Sequence, residues 1–126
     1  MFGKAKKPID RMPYPRSVSS KAIDIGIPPG RYAYAVDIKE TIHVVPDGLH
    51  VHPKILGNAR EALYAGELAI DTRGIVSEIN NLSGTFRFRS QRSLCGVAER
   101  LRMLGFSVKL VMWYCPFGTR IRQLNC

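Results

Sequence analysis

Leu63-Tyr64-Ala65-Gly66-Glu67-Leu68-Ala69-Ile70, then Asp71-Thr72-Arg73-Gly74, then Ile75-Val76-Ser77-Glu78-Ile79, is the stretch from which the fold is read. Two apolar runs of strand length enclose four residues with turn chemistry, which predicts a β-hairpin. Along the first run Tyr64, Gly66, Leu68 and Ile70 share one side, and Leu63, Ala65, Glu67 and Ala69 the other. A carboxylate among such small residues either faces an open cleft or pairs with an arginine such as Arg87 or Arg89.

The same logic extends upstream. Tyr32, Tyr34 and Val36 alternate with Ala33 and Ala35, predicting a strand with one heavy face. Thr41 to Val45 is β-branched and apolar around His43, and Asp37-Ile38-Lys39-Glu40 is short enough to join the two as a hairpin. Pro46-Asp47-Gly48 is a strong turn, and residues 53 to 62 read as a loop or a single helical turn. Ile23, Ile25 and Ile27 suit a short edge strand halted by Pro28-Pro29-Gly30. Residues 1 to 20, with Pro8, Pro13, Pro15, scattered cations and a Ser-rich end, have no sustained period and read as an extended arm, ordered only by a binding partner.

Downstream, Leu94, Val97, Ala98, Leu101 and Leu104 fall on one helical face between Ser90 and Leu104, and Gly105 is a natural terminator. Val108 to Tyr114 is a final apolar strand bounded by Pro116 and Gly118. The expectation is a basic arm over 1–20 and one α+β domain over 21–126, with a mainly antiparallel sheet of five to six short strands and one amphipathic helix packed on it.

At 126 residues the chain is long enough to bury a core. It has no apolar run of membrane-helix length and no secretory h-region, so no membrane association is expected. Cys95, Cys115 and Cys126 lie far apart with no metal-type spacing, which reads as free thiols in a reducing compartment: the cytosol, its own or a target cell's. The net charge of +9 is uneven. Residues 1–31 hold seven Lys/Arg and two Asp/Glu, residues 86–126 eight and one, and residues 32–85 four and seven. Two basic ends around an acidic centre either attract phosphate-bearing partners, nucleic acid or dinucleotide, or serve solubility alone.

Several groups carry candidate chemistry. His50 and His52 share a face if the segment is extended, and with His43 or Glu67 they offer a three-ligand metal site. Equally, they are hydrogen-bonded loop histidines, or hold a ribose or phosphate through a ring N–H. Asn80-Asn81-Leu82-Ser83-Gly84-Thr85 either satisfies its own backbone or binds a sugar or phosphate, with Arg87, Arg89 and Arg92 following as anion readers. Tyr32, Tyr34, Phe86, Phe88, Trp113 and Tyr114 are base-stacking candidates or core, and Phe86-Arg87-Phe88-Arg89 gives one apolar and one cationic face.

Taken in order, His52-x-x-x-Leu56-Gly57, Ala65-Gly66-Glu67-Leu68, Gly74-x-Val76 and Asn81-x-Ser83-Gly84-Thr85-Phe86 resemble a module at the C-terminal ends of bacterial polymorphic and secreted toxins. The pattern is also similar to part of the plant calmodulin-binding IQ-motif proteins. It covers roughly residues 50 to 105 and is loosely linked with ADP-ribosyltransferase-like domains. The chain carries Pro53-Lys54 where relatives often have Ser-Ser, and Thr85-Phe86 where they have His-Tyr. The resemblance implies an NAD-binding transferase, with His52 on the ribose, Glu67 as catalytic carboxylate, and Ser83 and Thr85 lining the cleft. His52 and Glu67 are thus the catalytic candidates, and His50, Tyr64, Ser83, Thr85, Arg87 and Arg89 the candidates for holding NAD. The partners expected are a dinucleotide or other phosphate-bearing ligand, a protein or nucleic-acid target, and a cognate protein captured by the N-terminal arm. The contrasting expectation is a non-catalytic nucleic-acid- or phosphate-binding module using the basic arm and the arginines.

Overall fold

The computed structural model describes residues 2–115 and 120–126 and shows an α+β domain built on one mixed sheet. Its strands are β1 (Lys21–Ala22), β2 (Gly30–Val36), β3 (Ile42–Pro46), β4 (Tyr64–Ile70), β5 (Val76–Asn80), β6 (Val108–Tyr114) and β7 (Ile121–Gln123), in the order β1-β3-β2-β4-β5-β6-β7. Among the described residues two helices accompany them, α1 (Pro53–Leu56) and α2 (Gln91–Met103).

Local chemistry accounts for both hairpins. In the β2–β3 connection the Asp37 carboxylate accepts the N–H groups of Lys39 and Thr41, each at 2.9 Å. Between β4 and β5, Asp71 does the same for Arg73 and Ile75, at 2.8 and 3.0 Å, and Gly74 takes φ +79°. An Asp that bonds forward and a Gly free to enter the left-handed region close the chain on itself.

The helix forms where its period predicts. Ser90 caps it, its side chain accepting the Ser93 N–H at 2.9 Å, and Leu94, Val97, Ala98 and Leu101 are fully buried. Leu104 lies past the last turn as the C-cap and is 44 % exposed, so it is not part of the buried stripe.

Four features differ from the sequence expectation. Among the described residues the sheet has seven strands, with β5 and β6 parallel and α2 as their crossover, because a parallel pair needs a connection long enough to return to the same end. No strand forms over Ile23 to Ile27; a two-residue strand lies just before it at Lys21–Ala22, and the chain then turns, burying Ile23 and Ile27 and leaving Ile25 exposed. Strand β2 is buried on both faces, since Ala33 and Ala35 are as inaccessible as Tyr34 and Val36. Cys95 and Cys126 are joined as a disulfide; β7 pairs with β6 and brings the C-terminal residue back to α2, so of the three thiols only Cys115 is free. The boundary expected at Pro116 and Gly118 lies outside the described residues.

Residues 2–20 follow the domain surface with little regular structure. They pair with it at Lys6 and Ala62, and the Ile9 N–H donates to the Thr85 carbonyl at 2.9 Å. The Asn58 N–H donates to the Tyr14 carbonyl at 2.7 Å. The segment is thus tied to the domain at several points along its length. Among the described residues no helix is long and apolar enough to cross a membrane.

Candidate functional site

Strands β4 and β5 pair as far as Leu68 opposite Ile79 and then separate. The Asn80 side chain fills the gap in the ladder. Its Oδ1 accepts the N–H groups of Glu67 and Leu82, each at 2.9 Å, and its Nδ2 donates to Glu78 at 3.1 Å and to Glu67 at 3.4 Å. Asn81 ties the same loop to the parallel neighbour. It donates to the carbonyls of Phe88 and Tyr114 and accepts the Tyr114 N–H, at 2.8 to 2.9 Å. Both asparagines are buried and bonded, Asn81 to backbone and Asn80 to backbone and two carboxylates, so the Asn-Asn pair builds the loop.

A cleft of about 680 Å³ opens where these strands part. Its walls come from five places: the N-terminal segment (Ile9, Asp10), the loop from β3 into α1 (Asp47 to Pro53), Glu67 on β4, the loop after β5 (Asn81 to Arg87), and the end of β6 (Tyr114, Cys115). Of the residues singled out from the sequence, His50, His52, Glu67, Ser83, Thr85 and Arg87 line it together. Tyr64 and Arg89 do not. Tyr64 is fully buried, its hydroxyl donating to the Ser90 carbonyl at 2.7 Å and its ring stacked on Phe88. The Arg89 carbonyl accepts the Trp113 indole N–H at 2.7 Å, and neither Arg89 nor Arg92 is in the cleft wall. Tyr32, Tyr34, Phe86 and Phe88 are core residues.

The two histidines are not on an extended segment. His50 has φ +55°, a costly conformation for a residue with a Cβ, and His52 is helical at the N-cap of α1. The His50 ring meets Asp10 at 3.0 Å and packs edge-on against Tyr14. Asp10 also accepts the Met12 N–H and the Tyr14 hydroxyl, and these bonds hold its carboxyl below the ordinary value. His52 is buried with Nε2 2.8 Å from the Gly66 carbonyl, which can only accept, so Nε2 carries the proton and Nδ1 is left as a lone-pair acceptor. Burial pushes the His52 pKa down and keeps the ring neutral at physiological pH, with the Gly66 contact and the charge of Asp47 acting the other way.

Glu67 is half-buried. Burial, first, and then the neighbouring charge of Asp47 raise its carboxyl above the ordinary value, against the pull of Asn80 and Arg31. Its cationic partner is Arg31 at 3.4 Å, reached diagonally across β2–β4, and not Arg87 or Arg89. Among the described residues the cleft wall holds Asp10, Asp47 and Glu67 against Arg87, so a chain of net charge +9 presents an acidic cleft. Among the described residues, no group of three or more His, Cys, Asp or Glu side chains is placed to hold a metal. His43, considered as a third ligand, lies elsewhere and is bonded to Asp37 and Arg16.

Sequence reasoning missed Asp10, Asp47, Tyr114 and Cys115 as cleft residues. Asp47 reads as a turn residue, and its turn role is real: its Oδ1 accepts the Gly48 N–H at 3.0 Å. No local pattern announces that this turn faces Glu67. No protein-family model matches the chain, and no curated protein or solved structure matches it either.

Proposed function

We propose that the acidic cleft takes an NAD-like dinucleotide and that the chain is a toxin- or effector-type domain with ADP-ribosyltransferase-like chemistry. One observation carries the reading: Glu67, the neutral His52, Ser83 and Thr85, separated by up to 33 positions, line one cleft. Its volume is that of a typical small-ligand pocket. Glu67 accepts a ribose hydroxyl and offsets the positive charge that grows as the bond to nicotinamide breaks; the electron pair leaves with nicotinamide, and a nucleophile of the target, or water, bonds to the same ribose carbon and gives up its proton to solvent. His52, its tautomer fixed by Gly66, offers Nδ1 to a second hydroxyl. Arg87 is the cation for the pyrophosphate, and Arg31 and Asn80 hold Glu67 in place.

The test is calorimetric titration of NAD into the wild type and Glu67→Gln, with nicotinamide release followed in parallel. Binding by both proteins with release only by the wild type is expected. Absence of NAD binding by the wild type overturns the reading. A salt series against RNA would then ask whether the contrasting phosphate- or nucleic-acid-binding function holds, since that affinity falls steeply with salt and ignores Glu67.

A further inference from the structure

A second cavity, of about 590 Å³, lies between the N-terminal segment, the β2–β3 hairpin and the loop after α1. Its charge is opposite to that of the cleft: Lys7, Arg16, Lys39 and Arg60 line it against Asp37 and Glu61. Asp37 is already committed. Besides the two backbone N–H groups of its hairpin, its Oδ2 accepts from His43 Nε2 at 2.8 Å. On the far side of that ring, Nδ1 lies 3.1 Å from Arg16 Nη2. A guanidinium can only donate, so Nδ1 accepts, and the proton of His43 sits on Nε2. Asp37, His43 and Arg16 form a chain rooted in the hairpin turn and ending in an oriented guanidinium. The Arg16 backbone is fixed as well, since it lies so close to Gly57 that any Cβ there would overlap it. Lys7, Lys39 and Arg60 make no ion pair among the described residues. Cations gathered around one cavity repel one another, and an anion between them relieves this.

We propose that this cavity is a second binding site and that it takes a phosphate-bearing small ligand, with Arg16 as the oriented reader and Lys39 and Arg60 as the flanking charges. Arg16 Nη2 is spent on His43 and on the Ser20 carbonyl, at 3.1 and 3.5 Å, which leaves Nη1 and Nε to donate to phosphate oxygens, while Lys39 and Arg60 add charge. The site stands apart from the acidic cleft and does not depend on what binds there.

Calorimetric titration of inorganic pyrophosphate at low ionic strength tests it, using the full chain as wild type, Arg16→Gln, the double variant Lys39→Gln/Arg60→Gln, and Lys109→Gln, an exposed cation that lines neither cavity. Binding by the wild type and by Lys109→Gln is expected, with affinity about tenfold weaker or worse in the other two. Lys39 and Arg60 are exposed, so the double variant keeps its fold, and a thermal melt beside the titration checks this even if Arg16→Gln loosens the N-terminal segment. No binding by the wild type overturns the proposal. So does binding that the double variant leaves at full strength, which places the ligand in the acidic cleft or on diffuse surface charge.

Discussion

Gly66→Ala should be among the most damaging single-methyl changes in this protein. A Cβ at position 66 would overlap the Asn80 carbonyl oxygen and crowd the Cα of Asn81. That carbonyl cannot simply move away, because the fully buried Tyr34 hydroxyl donates to it at 2.7 Å. Nor can β4 retreat without cost: the Gly66 carbonyl holds His52, and the Glu67 N–H is bonded to the Asn80 side chain. Overpacking at such a contact costs about 1–3 kcal/mol. A buried hydroxyl left without its acceptor adds about 1–3 kcal/mol more. For a chain of this length, about 4 °C of Tm per kcal/mol is reasonable, so the melt should fall by roughly 8 to 24 °C. Differential scanning calorimetry against Gly84→Ala is the assay, because a Cβ at Gly84 meets nothing within 4 Å and should shift the melt little. The His52 imidazole N–H resonance should also move in Gly66→Ala. Equal melting of the two variants, with His52 unperturbed, would refute the reasoning. The glycine in Ala65-Gly66-Glu67 is thus explained by the close approach of Asn80, whatever the cleft binds.

Three further outcomes follow from the same structure. The Cys95–Cys126 bond spans 31 positions, so Cys126→Ser should lower stability by about 3–4 kcal/mol, read by urea melts without reductant; a variant as stable as the wild type contradicts the entropic argument. Glu67 is held above its unfolded value of 4.5, so its contribution is favourable below 4.5 and is lost as pH rises through the folded pKa. Glu67→Gln should therefore melt higher than the wild type near neutral pH and lose that advantage below 4.5, the Arg31 pair being too exposed to reverse the sign. His52 is depressed below 6.5 by burial, so its contribution is present above 6.5 and is lost as pH falls through the folded pKa; His52→Gln should flatten that part of the stability–pH curve in chemical denaturation.

Period and turn chemistry are local properties, and what rests on them was legible in the sequence. The Asp37 and Asp71 hairpins need only an Asp that bonds its own backbone, together with apolar runs of strand length on either side. The helix needs only its stripe of Leu94, Val97, Ala98 and Leu101 and the Ser90 cap. The same locality explains why Glu67 stood out, since a carboxylate in an apolar run is conspicuous without any neighbour in view. Tertiary structure alone decided the rest. A parallel β5–β6 pair leaves no turn signature, β7 is three exposed residues with no pattern of their own, and Cys95 meets Cys126 only after that strand is in place. The cleft is likewise assembled from the ends of strands and loops far apart in the chain. Which carboxylates face Glu67, which arginine reaches it, and that Tyr64 turns into the core are set by where packing brings those ends, because the charge and shape of a site belong to neighbours in space and not in sequence.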